Sequence, residues 1–201
     1  ISVGNFIILA YTSKFGEPAV AGYGSATRFE QILLLPVLGL NTAIISIVGQ
    51  NFGANQYFRV KESYYQAIIY GTIIMIIAGL IIFLTADKIV SIFTSDVVVI
   101  SYGTSYLKIS ALIFPAYPIY FISNGFFMAL KKASYAMNLN IIRNVFLPIP
   151  TIFFANFIGG SYKNFFWSYC LFNWIFVILL ITFVSFYIKK NLYSSSSIIH
   201  P

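Results

Sequence analysis

Five acids occur among the 201 residues, and one of them, Glu30, lies inside an apolar run rather than at its edge. A carboxylate at such a position is expensive and persists where it faces water, a partner or a bound ion, so Glu30 is the first candidate for chemistry, as a proton-titrating or cation-binding group. Counted from Ala19 at about 1.5 Å per residue, it stands about 16 Å along a helix, near mid-depth of a bilayer. Steps of three and four residues bring Tyr23, Thr27, Glu30, Gln31 and Asn41 near one stripe, while the remaining faces are Ile, Leu and Val. This stripe is expected to line a polar cavity. Arg28 is two residues from Glu30 and points to a different face, so the two form no simple helical pair and their partners must come from other helices. The plainer alternative is that both belong to a structural network between packed helices, or snorkel to the outer surface.

A second polar wall is written into residues 97–130, where Tyr106, Ser110, Tyr117, Tyr120 and Asn124 recur at helical spacing and Lys108 stands off the stripe. Such a stripe serves a helix contact or a cavity, and in a cavity its ring faces suit a flat cation. Asn140 and Asn144 lie one turn apart and are read as structural, with Arg143 near enough to the inner surface to snorkel. Pro36 and Gly39, then Pro115 and Pro118, and further on Pro148 and Pro150, are hinge or kink candidates, because proline removes one backbone bond and clashes with the preceding turn. No catalytic constellation is present: there is no paired intramembrane acid, no nucleophile elbow and no Gly-rich phosphate loop. The single histidine, His200, and the single Cys170 belong to no ligand cluster, so neither an enzyme nor a metal site is expected.

The elements that must position these residues follow from composition. Hydrophobic side chains make up 59% and charged ones 8%, too few charges for a soluble surface. The apolar runs reach the roughly 17–25 residues that a membrane helix needs and lack the period-two alternation of barrel strands. An all-α, polytopic membrane protein is expected: a partial helix over about 1–11, then spans over 19–49, 63–86, 97–130, 134–158 and 164–188. Residues 1–190 thus form one transmembrane unit of five full spans plus a partial one, and 191–201 a disordered cytoplasmic tail. Twelve Lys/Arg exceed five Asp/Glu, but they sit in ones and twos between apolar runs, which excludes a nucleic-acid face and reads as topology. Alternating the connections puts Arg59, Lys61, Lys131, Lys132, Lys189 and Lys190 on one side and Lys14, Lys88 and Lys163 on the other. The richer side, with the carboxyl terminus, is expected in the cytoplasm.

The connection at residues 50–62 carries the densest pattern: Gly49-Gln50-Asn51-Phe52-Gly53-Ala54, preceded by Pro36-x-x-Gly39-Leu40 and followed by Arg59. Physically, Gly49 and Gly53 permit a tight exit from the membrane, Gln50 and Asn51 tie up freed carbonyls, and Arg59 and Lys61 meet anionic lipid. The combination, together with Glu17-Pro18 ahead of it and Ile92-Phe93-Thr94-Ser95-Asp96 after it, resembles the MATE (multidrug and toxic compound extrusion) transporters, closest to their DinF-like bacterial branch. The resemblance implies the carboxyl-terminal six-helix lobe of a twelve-helix protein, partnered by a missing amino-terminal lobe around a central cavity. It also implies residence in a bacterial inner membrane and export of small organic, cationic compounds against H+ or Na+, with no other cofactor. A carboxylate that one branch of the family keeps in its tenth helix would fall at about Tyr120, so the resemblance places the coupling acid in the missing lobe.

Two other readings compete. A flippase for lipid-linked precursors needs several cavity arginines to hold a pyrophosphate, and Arg28 is the one candidate. A non-transporting six-helix assembly protein would use the same polar residues as glue between helices.

Overall fold

Capping residues and prolines cut the chain where the physics of helix ends demands. The computed structural model describes residues 3–192, all helices and short turns. In order they are α1 (Val3–Thr12), a 3-10 turn (Ser13–Phe15), α2 (Glu17–Leu33), α3 (Leu35–Gly53), α4 (Tyr57–Ser91), α5 (Val97–Ala111) and α6 (Ala116–Ala129). There follow α7 (Ala133–Ile141), a π-helical turn (Ile142–Phe146), α8 (Pro148–Phe157) and α9 (Tyr162–Asn191). The Asp96 carboxylate starts α5 by accepting from the amides of Val98 and Val99, and the Ser161 hydroxyl starts α9 by accepting from that of Asn164.

Three breaks shape the molecule. Pro36 has no N–H for the carbonyl of Ile32, and the span expected over 19–49 divides at Leu34 into α2 and α3. Residues 112–115 separate α5 from α6, which meet at 60°. The Leu112 carbonyl freed there accepts the indole N–H of Trp174 in α9 at 3.0 Å. Between α7 and α8, Leu147 donates to the carbonyl of Ile142, five residues back, at 2.8 Å. This wider turn keeps the Pro148 ring off the preceding helical carbonyls.

Three helices, α3, α4 and α9, are each long and apolar enough to cross a membrane, and the bent α5–α6 pair makes a fourth. That is one fewer than the five full spans expected: the segment over 134–158 is helical, but its π turn leaves no single helix of sufficient length. The loop at 50–62 also shrinks, since α3 runs to Gly53 and α4 resumes at Tyr57. Asn191 closes α9 and Leu192 is buried, so the expected tail does not begin at 191; residues 193–201, with His200, lie outside the described residues.

Packing joins α2 to α5, and α3 to α4 and α6. The α2–α5 crossing is a backbone contact: a Cβ on Gly22 would lie 2.7 Å from the Val99 carbonyl oxygen and 2.8 Å from the Gly103 nitrogen. Buried residues form two clusters, one about Leu107, Phe114 and Phe165, the other about Tyr64, Phe126 and Phe127. Outside them α4 exposes Ile69, Ile73, Ile76, Leu80 and Leu84, an apolar face suited to lipid.

Candidate functional site

Glu30 is 6% exposed and both of its carboxylate oxygens accept hydrogen bonds, Oε2 from the Tyr106 hydroxyl and Oε1 from the Tyr117 hydroxyl. The tyrosines belong to the two halves of the broken α5–α6 segment. On a straight helix, eleven residues place them about 16 Å apart on nearly one face, too far to share a carboxylate. The 60° bend makes both reach it. Pro115 and Pro118 are therefore part of the site's construction, and the close α2–α5 crossing at Gly22 brings Glu30 within range. Tyr23 meets Tyr106 edge to face at 4.9 Å and stacks on Phe166 of α9 at 5.8 Å.

The cluster opens into a cavity of 220 Å³ whose wall includes Tyr23, Thr27, Glu30, Gln31 and Tyr117, as the sequence stripes predict. The Thr27 hydroxyl donates back to the carbonyl of Gly24 at 3.0 Å. Gln31 is exposed at the mouth. Arg28 is also exposed, on another face, and has no part in the cavity. Glu30 does not snorkel.

Asn41 departs from its stripe. The break at Leu34 resets the helix rotation, and Asn41 packs instead against Gly125 of α6, with its side-chain oxygen buried. Tyr120 and Asn124 also leave the cavity: the Tyr120 hydroxyl donates to the Asn140 oxygen, and Asn124 and Asn140 each donate to the Ala136 carbonyl, at 3.1 and 2.9 Å. These four groups tie α6 to α7.

Arg143, near enough to the inner surface by sequence to snorkel, is turned onto aromatic rings. Its guanidinium carbon lies over the rings of Tyr120, Tyr117 and Phe121, 4.1, 5.1 and 5.8 Å from their centres, and it lines the same cavity as Glu30. The aromatic faces proposed for an external cation are thus occupied by the protein's own. Arg143 sits in the π turn, whose changed residue rotation defeats counting by threes and fours; the sequence signal for it was Pro148 five residues on.

The loop motif is more helical than its glycines imply. Gly49 and Gly53 both lie in α3, Gly39 lies within α3 facing open space, and the turn is made at Asn55, with φ 57°. Asn51 donates to the carbonyl of Ile47 at 2.8 Å, which lies inside α3 and is not one freed at its end, and Gln50 reaches the Ser46 hydroxyl; Ala54 and Arg59 are exposed.

A bundle of apolar, repeatedly broken helices around a charged cavity defines an integral membrane protein. The chain belongs to the MatE family, whose model matches residues 1–154. It is 27% identical over 160 residues to the probable multidrug resistance protein YpnP of Bacillus subtilis, covering 79% of this chain and 36% of that one. Similarity to the FAD transporter of Shewanella oneidensis is 23% over 158 residues, covering 79% and 35%. The fold matches the bent form of the Vibrio cholerae MATE transporter VcmN with a TM-score of 0.85 at 19% identity, over 95% of this chain and 42% of that one. The chain spans about a third of the length of these curated relatives.

Proposed function

We propose that this chain is the carboxyl-terminal lobe of a secondary antiporter that exports small organic compounds in exchange for H+ or Na+. A second six-helix lobe would close the cavity from the other side, and the two would rock to alternate access. The carrying observation is Glu30, a lone carboxylate held by two tyrosines at the wall of an open cavity in a member of this family. Each of its oxygens keeps a lone pair, so a proton, a metal cation or the positive end of a substrate competes for one charge. That competition is the minimal requirement for exchange. The lysine and arginine distribution supports a cytoplasmic carboxyl terminus in a bacterial inner membrane.

A pyrophosphate-carrying flippase is less well supported, because Arg143 alone among the arginines lines the cavity. The names of the relatives include both multidrug export and FAD transport, so membership does not fix the substrate.

The test is dye efflux from proteoliposomes holding the full-length protein, driven by an imposed H+ or Na+ gradient. Whichever gradient drives efflux identifies the coupling ion, and Glu30→Gln is expected to lower the driven rate at least about tenfold. Efflux that is intact in Glu30→Gln, with only a lower melting temperature, would instead make the carboxylate a helix-gluing group.

A further inference from the structure

At the lysine-rich end of the bundle, α7 and α9 meet through rings: the centre of Tyr135 lies 5.9 Å from that of Phe183 and 5.7 Å from that of Tyr187. Toward the other end, α8 packs against α9. Between these two contacts a groove of 370 Å³ opens, its walls including Tyr135, Asn138 and Ile142 on one side and Phe176, Leu179 and Phe183 on the other. Lysines stand at its head from both walls. Lys131 and Lys132 are exposed immediately ahead of α7, and Lys189 and Lys190 occupy the last turn of α9. No side chain caps α7 at Lys132, so the first amides of that helix are open to an anion. Among the described residues the acid of this end is Glu62 of α4, which accepts from the side-chain amide of Gln66 at 3.1 Å.

Along the groove the chemistry changes in a fixed order. Ammonium groups come first, then the hydroxyl-bearing rings of Tyr135 and Tyr187, then the exposed amide of Asn138, then Phe, Leu and Ile alone. A phospholipid presents the complementary order: phosphate, the wet interface that tyrosine favours, ester carbonyls that an amide can reach, and hydrocarbon. A second copy of this chain lying on the same face would instead bring its own lysines against these, like charge on like. We propose that the α7–α9 groove is a binding site for an anionic phospholipid. Its phosphate meets Lys131, Lys132 and Lys190 at the open start of α7, and one acyl chain lies along Phe183, Leu179 and Phe176. Since α7 packs on α6 at its other flank, the lipid fastens the remaining side of α7 to α9. The site is separate from the Glu30 cavity and does not depend on what that cavity carries.

The test is native mass spectrometry of the purified, detergent-solubilised full-length protein, titrated with phosphatidylglycerol and with phosphatidylcholine of the same acyl chains. Phosphatidylglycerol is expected to bind about tenfold more tightly, the scale of lysines acting on anionic lipid. Replacing both Lys131→Gln and Lys132→Gln should bring the two lipids within about twofold by weakening phosphatidylglycerol alone. Leu179→Trp, which fills the groove, should weaken both lipids alike. All three substituted side chains are exposed, and thermal unfolding of each variant confirms that it is folded. Lys163→Gln, at the opposite end of the helices, should leave the preference unchanged. Equal affinity for the two lipids in the wild-type protein would overturn the site, as would either groove variant that leaves phosphatidylglycerol binding intact or a preference lost equally in Lys163→Gln. Glycerol phosphate binding as tightly as phosphatidylglycerol would make it a free-phosphate site. A dimer that grows with protein concentration and is lost in Leu179→Trp would give the groove to a second copy.

Discussion

Burying a carboxylate is tolerable when each oxygen finds a donor, and Glu30 finds two phenols. Hydrogen bonds to a charged group contribute about 1.5–3 kcal/mol each, so Tyr106→Phe should lower the stability of the full-length protein by an amount in that range. Much of this loss should vanish in a Glu30→Gln background, with a coupling of about 1 kcal/mol or more in a double-mutant cycle read by thermal unfolding. Strict additivity would mean that the two side chains do not share a bond. At this scale the sequence was informative where helices are regular. Tyr23, Thr27, Glu30 and Gln31 come from an unbroken stretch of α2, and counting by threes and fours placed them on one wall. Asn41 and Arg143 lie beyond irregularities, a break at Leu34 and a π turn, where each residue no longer adds the ordinary helical rotation. Pattern reading fails there because its period fails.

The elements are held less by long-range polar bonds than by how closely their backbones approach and by what their breaks leave unpaired. The α2–α5 crossing leaves no room for a side chain at Gly22, since the nearest atoms to an added Cβ are backbone. Gly22→Ala should therefore push α2 off α5 and cost about 1–3 kcal/mol as overpacking. Because Glu30 and Tyr106 sit on those helices, the variant should also weaken substrate binding without touching the cavity wall. Normal binding with reduced stability would show that the crossing is not what positions the carboxylate. Trp174→Phe tests the α5–α6 break in the same way. It removes the N–H that satisfies the Leu112 carbonyl, and the expected loss on thermal unfolding is about 1–2 kcal/mol. An unchanged melting temperature would mean that lipid headgroups or water replace the indole. The prolines announced all three breaks in the sequence; their angles depend on neighbouring helices, which one chain position does not encode.

Taken whole, the molecule repeats one device, a helix broken beside a proline, and this explains why it has fewer continuous spans than hydropathy suggests. Hydropathy measures composition along a window and is blind to a bend inside it. Orientation rests on a different signal, charge at the ends, and can be tested independently of the cavity. The turn at Lys131, where φ is 58°, and the first turn of α9, where Lys163 is exposed, lie at opposite ends of the α7–α8 segment. With the buried Cys170 and every cysteine of the rest of the full-length protein replaced by serine, single cysteines can be placed at these positions. In intact cells Lys163→Cys should react with a membrane-impermeant maleimide, and Lys131→Cys should react only after permeabilisation, because translocation of Lys and Arg is disfavoured and the Lys131–Lys132 turn is the more basic. The opposite pattern would invert the topology and put Lys189 and Lys190 outside. Labelling of both positions in intact cells would mean that the α7–α8 segment does not cross the membrane, and its interrupted helices make that a sharp question to put to this chain.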